Sequence, residues 1–103
     1  MDNFDQVLNR VKDQLFALPE VKLYFELREQ ISANDELQTL LKDIRIHQKA
    51  MTAAMGQIDL YQAEKTIYNG LMERYNNHPL IVNYEAIKEQ VYLLLKQMQT
   101  MIE

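Results

Sequence analysis

The sequence has no cysteine and no tryptophan, and only two glycines, two prolines and two histidines among 103 residues. Without cysteine there is no disulfide framework, no thiolate metal site and no cysteine nucleophile, which suits a reducing, cytoplasmic setting. So few glycines and prolines leave little material for turns, and Gly56 and Gly70 stand too far apart to form a phosphate-binding loop. Strands are not expected. The longest strongly apolar run, Val91 to Leu95, is far short of a membrane span. The acidic start Met1-Asp2-Asn3-Phe4-Asp5 lacks the apolar segment of a signal peptide. Eleven Lys and Arg against fifteen Asp and Glu give a net charge of −4, which repels phosphate at long range. General binding to nucleic acid is therefore not expected unless a local basic patch reverses the field.

What the chain does contain is helix-forming material in periodic order. Asp2 or Asn3 is placed to cap a first helix whose apolar face is Phe4, Val7, Leu8, Val11, Leu15 and Leu18. Pro19 breaks that helix and opens a second, with Val21, Tyr24, Leu27 and Ile31 inward. Asn34 caps a third, running to about Met55 with the row Leu37, Leu41, Ile44, Gln48, Met51 and Met55, and Leu40 alongside. Gly56 ends it, and Asp59 with Gln62 resembles a capping box opening a fourth, which reaches about Asn76. After the turn at His78, Pro79 starts a fifth helix with the longest row: Leu80, Tyr84, Ile87, Val91, Leu94, Met98 and Met101. The expectation is one all-α domain, residues 1–103, of about five helices with long antiparallel pairs. Five helices in so short a chain cannot cover one another completely, so a second subunit is expected.

Two segments echo each other sixty residues apart: Pro19, Val21, Tyr24, Leu27-Arg28-Glu29-Gln30-Ile31 and Pro79, Ile81, Tyr84, Ile87-Lys88-Glu89-Gln90-Val91. Either any two proline-started amphipathic helices look alike, or the segments make equivalent contacts about a pseudo-symmetric centre.

Polar residues inside apolar arcs are the candidates for specificity. A helical wheel puts Gln48 within the third helix's arc and Glu64 within the fourth's, among Leu60, Ile67, Tyr68, Leu71 and Tyr75. A buried carboxylate needs a partner, and Gln48, a tyrosine hydroxyl, or the edge cations Arg28 and Lys88 could supply it. Glu64 then either joins Gln48 in a polar layer that sets register or pairing, or escapes to solvent. Catalytic groupings are thin. His47 and His78 belong to no paired metal-binding motif, His47 reads as a satisfied structural histidine, and His78 serves the turn before Pro79. No catalytic, metal or cofactor residue is assigned.

Three surfaces are candidates for partner binding. Lys42, Arg45 and Lys49 form a basic stripe able to meet an acidic protein or a few phosphates, or simply a solvated flank. Tyr61, Tyr68 and Tyr75 recur every seven residues, as suits either a wet-edged core or an interface. Tyr92 and Leu93 add apolar surface off the main row, which points to self-association.

The succession of Tyr24, Asn34-Asp35-Glu36, Leu40-Leu41, Ile44 and Gln48, His78-Pro79, Tyr84, Glu89-Gln90 and Leu93-Leu94-Leu95 resembles the YlbF/YmcA family over nearly the whole chain. Gln48 is the most distinctive single match. The resemblance implies a dimerising, cytoplasmic all-helical protein of low-GC Gram-positive bacteria, in a family of regulators of competence, biofilm formation and sporulation. It further implies action with paralogues and the endoribonuclease RNase Y in messenger processing, and no enzymatic activity. Some members carry a cysteine-bearing tail linked to iron–sulfur clusters. This chain has no cysteine, so cluster binding is not carried over, and it looks more like the short members. The alternatives are a stand-alone helical scaffold or holdase and, behind it, a metal-binding bundle enzyme.

Overall fold

The computed structural model describes the backbone of residues 2–102 and the side chains of residues 3–101. All regular structure among them is helical: α1 (Asp2–Ala17), α2 (Pro19–Ala33), α3 (Asp35–Ala53), α4 (Ile58–Asn77) and α5 (Pro79–Ile102). Each boundary has a local cause. Pro19 and Pro79 occupy first helical positions, where the missing N–H is no loss, and Leu18 and His78 present the carbonyls that accept the first bonds of α2 and α5. The Asn34 side chain accepts the Leu37 N–H at 2.9 Å, capping α3 as its sequence position predicts. Gln38 adds a tie, donating from Nε2 to the Ile31 carbonyl at 2.9 Å. Gly56 takes φ +98° in the connection to α4, a conformation in which a Cβ would be strained.

Several boundaries differ from expectation. α1 already includes Asn3, which is therefore not its cap, and the side chain of Asp2 lies outside the described range, as does that of Ile102. α3 stops at Ala53, before Met55. The capping box at Asp59 and Gln62 does not form: α4 begins at Ile58 after Gln57, which makes no side-chain cap, and Asp59 instead sits in the first turn, where its charge favours the helix dipole.

The chain divides into two compact units, one of Met1–Glu29 with Asn83–Glu103, the other of Gln30–Val82. The second unit holds α3 packed on α4. Its core is Leu37, Leu40 and Ile81, with Ile31, Leu71, Tyr75 and Leu80 against it, and Leu37 is wholly buried. The inward row of α3 is Leu37, Leu40, Ile44, His47 and Met51, continued by the buried C-cap Ala54, with Leu41 half-buried at its edge. This corrects the expected row. Both rows share Leu37, Ile44 and Met51, but a step of three and a step of four from each fall on opposite sides of the helix line. The structure takes the three-residue step, so Gln48 is exposed and Met55 is 71% exposed. α4 answers with Tyr61, Glu64, Tyr68, Leu71 and Tyr75, all half-buried, and leaves Leu60 and Ile67 on its outer side.

In the first unit, Val21 and Leu27 of α2 are buried, with Val11, Leu15, Tyr24, Tyr84, Ile87, Val91, Leu94 and Met98 half-buried. The α5 row thus forms as read, except that Met101 is exposed. The face of α1 is only partly covered: Phe4 is 65% exposed and Val7 56%, while Val11, Leu15 and Leu18 are half-buried.

The choice of row has a measurable consequence. Leu40→Ala is expected to lower unfolding stability by about 2–5 kcal/mol, the range for emptying a packed leucine site. Met55→Ala should change it by less than about 0.5 kcal/mol. Chemical denaturation of the two variants reads the difference.

Candidate functional site

Three groupings of side chains stand out, and each lies within one unit. The first sits in the seam between α3 and α4. His47 Nδ1 is 2.7 Å from Glu64 Oε2, and because a carboxylate only accepts, Nδ1 carries the proton and donates. Both side chains are more than two-thirds buried. Glu64 therefore has a partner, and it is His47 rather than Gln48. Sequence reasoning took His47 as a satisfied structural histidine but missed that Glu64 is its partner; the signal was its spacing of three from Ile44, the same step that relates Leu37 to Leu40. Among the described residues no buried side-chain polar atom lacks a partner. His78 has the opposite arrangement. Its Nδ1 accepts the Leu80 N–H at 3.1 Å, capping α5, which leaves the proton of the neutral ring on Nε2, 3.8 Å from Glu36.

The second grouping is the outer face of α3. Because His47 turns inward, Lys42, Arg45, Gln48 and Lys49 face solvent together, and Arg45, Gln48 and Lys49 line a shallow hollow with Thr52 and Ala53. None of the three cations has a carboxylate partner among the described residues. This is an exposed, unneutralised basic row with a neutral amide in its middle. The three tyrosines of α4 do not join it: Tyr61, Tyr68 and Tyr75 lie in the half-buried row toward α3, and Tyr75 packs on the core.

The third grouping brings the sixty-residue echo together. Tyr24 and Tyr84 stack with ring centroids 5.5 Å apart, and the Tyr84 hydroxyl points at that of Tyr24 at 3.5 Å. Each ring is covered by the cation four residues on, Arg28 at 5.7 Å over Tyr24 and Lys88 at 5.8 Å over Tyr84. The echo thus includes one matched set of contacts, a tyrosine under its own cation on each segment, with the two rings stacked on each other. Val21 and Ile81, also sixty apart, are each 3% exposed. Arg28 and Lys88 serve their own tyrosines, and Lys88 also meets Glu85 at 3.8 Å, so neither is the partner of Glu64. The hydrogen bond that Tyr84 donates to Tyr24, then burial, push the Tyr84 phenol up to about 12.

Beside this pair runs an apolar groove of about 760 Å³ whose walls include Leu15, Phe16, Tyr24, Phe25, Tyr92 and Leu95. Phe16 and Phe25 meet at 6.0 Å on one side, and Tyr92, under Lys96 at 5.2 Å, stands on the other. Tyr92 and Leu93 are exposed, as their position off the main row of α5 implies. Glu85, Lys88 and Glu89 line the same groove. Among the described residues no three His, Asp or Glu side chains gather as a metal site, and no helix is long and apolar enough to cross a membrane.

Residues 3–103 match a family model described as control of competence regulator ComK, YlbF/YmcA. No curated protein and no solved structure gives a significant match.

Two outcomes follow from these geometries. A double-mutant cycle on His47→Ala and Glu64→Ala should show a coupling of about 1 kcal/mol, the scale of a partly exposed charged hydrogen bond. Gln48→Ala should leave monomer stability within about 0.5 kcal/mol of the parent. The raised Tyr84 value means the fold holds the neutral phenol more strongly than the unfolded chain does, so its contribution is intact below pH 10 and is lost as pH rises through about 12. Ultraviolet titration should show the late ionisation of Tyr84, which Tyr24→Phe returns toward about 10.

Proposed function

The chain belongs to the YlbF/YmcA family, described as control of competence regulator ComK, and from that premise we propose that it is a non-enzymatic regulatory adaptor, a cytoplasmic homodimer working through protein–protein contacts. The whole of residues 1–103 acts as one family domain in this reading. The observation that carries it is the amount of surface the chain leaves open. Much of it is apolar: Phe4, Val7, Phe16, Phe25, Tyr92 and Leu93 are all exposed in one unit. Monomeric proteins rarely keep so much apolar surface in water.

The helix pairing fits the same reading. His47 meets Glu64 near the α3–α4 connection and Glu36 meets His78 at the far ends, as antiparallel neighbours joined by a short loop would. The exposed row of Lys42, Arg45, Gln48 and Lys49 is the surface we assign to the regulatory partner, since its unneutralised charge favours an acidic protein face. By its resemblance, the family extends this partner to paralogues and an RNase Y-type endoribonuclease, and the process to competence, biofilm formation and sporulation.

Light scattering of the purified chain should give twice the monomer mass. A tagged pull-down from the native organism should return paralogues or RNase Y in fixed ratio, and Arg45→Glu with Lys49→Glu should abolish that recovery while leaving the dimer intact. A monomer that captures many unfolded clients without stoichiometry would replace this reading with a holdase.

A further inference from the structure

The back of α4, turned away from α3, carries a second row of its own. Leu60, Ala63, Ile67, Gly70 and Arg74 follow one another at steps of three and four, and all five are exposed, Leu60 by 49% and Ile67 by 44%. Nothing within the chain calls for the glycine. A glycine inside a helix costs stability relative to alanine, yet a Cβ placed at Gly70 would meet nothing within 4 Å. The row is bracketed by opposite charges, Asp59 in the first turn and Arg74 in the last. Both lie within about 40° of Ala63 around the helix, and neither makes an ion pair among the described residues. The other charges of α4 lie off this face. Glu64 turns to His47, while Lys65 is about 160° and Glu73 about 80° around the helix from Ala63.

We propose that this face packs on the same face of a second copy, the two α4 helices antiparallel about a two-fold axis that passes between Thr66 and Ile67. Positions equally far from the axis along the helix then face each other, as an isologous contact requires. One alignment meets two independent requirements. Asp59 and Arg74 are each seven and a half positions from the midpoint, so each Asp59 meets the Arg74 of the other copy and the contact holds two ion pairs. Ala63 and Gly70 are each three and a half positions from it, so small side chain meets small side chain. The axes can then close to about 8 Å, the short end of the usual range. Ile67 beside the axis meets its own copy, and Leu60 covers the stem of the opposing Arg74. Glu73 stays in water at the rim. A parallel pairing would set Asp59 against Asp59 and Arg74 against Arg74, and a helix lacking this charge order would leave both unpaired. A second copy is therefore the occupant that the charges select.

The inference rests on the homodimer proposed above and places one contact of that dimer on α4. Sedimentation equilibrium of full-chain variants tests it. Gly70→Leu should weaken the dimer by about tenfold or more, with helicity by circular dichroism retained, because the site is open within the chain. Arg74→Asp should weaken it by about tenfold, through two lost pairs and two new repulsions. Adding Asp59→Arg to that variant should restore the dimer. A purely structural effect would instead worsen, since the double exchange sets both charges against the helix dipole. Glu73→Gln should not weaken the dimer. The chain has no native cysteine, so Thr66→Cys with a short bis-maleimide should crosslink to itself across the axis, and Lys65→Cys on the opposite side should not. A dimer that survives Gly70→Leu, is not restored by the charge exchange, or fails to crosslink through Thr66→Cys overturns the α4 contact while the dimer stands. A wild-type chain that is monomeric overturns both.

Discussion

Leu37, Leu40, Ile44 and Ala54 must leave water together with the His47–Glu64 pair set in the same seam, and the rotation of α3 that achieves this determines what the rest of its unit displays. A histidine and a carboxylate in a half-buried seam are tolerable only as partners, because each alone would lose its hydration without replacement. With His47 turned in, the next residue must turn out. Gln48 then stands among Arg45 and Lys49 on the solvent side. One packing decision thus closes the seam and creates the basic row.

The first unit is built on a different contact. Tyr24 and Tyr84, each carrying its cation four residues on, bring two similar segments of a single chain together through a ring stack. Stacked rings bring large apolar area together at little conformational cost and keep a polar end for water. Arg28 and Lys88 shield the outer faces of the rings, so the pair needs no deep burial to hold its place. The phenol of Tyr84, donating to that of Tyr24, is held in its neutral form well above the usual range.

Both units leave apolar surface over, and it is not spread at random. α1 is open at its start and closed at its end, and α5 is open on the side of Tyr92, Leu93 and Leu95. The five helices do not cover these faces, and a regulator that worked by contact would use such surface. The family's regulatory character and the uncovered faces therefore agree, although they come from independent observations.

Five helices, their order, both proline starts, the Asn34 cap and the Gly56 turn were legible along the chain, because each depends on residues within about a turn of one another. The sixty-residue echo was legible as well, though not what it meant. The apolar rows were readable only to within one residue: Leu40 and Leu41, or His47 and Gln48, lie on either side of the same line, and a helical wheel gives both equal standing. Packing of α4 decided between them, since only one rotation buries Leu37 and Leu40 and brings His47 to Glu64. The failed capping box, the open start of α1 and the meeting of Tyr24 with Tyr84 have the same origin. Local spacing determined which segments are helical and roughly which side is apolar; which residue of that side meets which neighbour is a matter of long-range contact, and only the tertiary structure decided it.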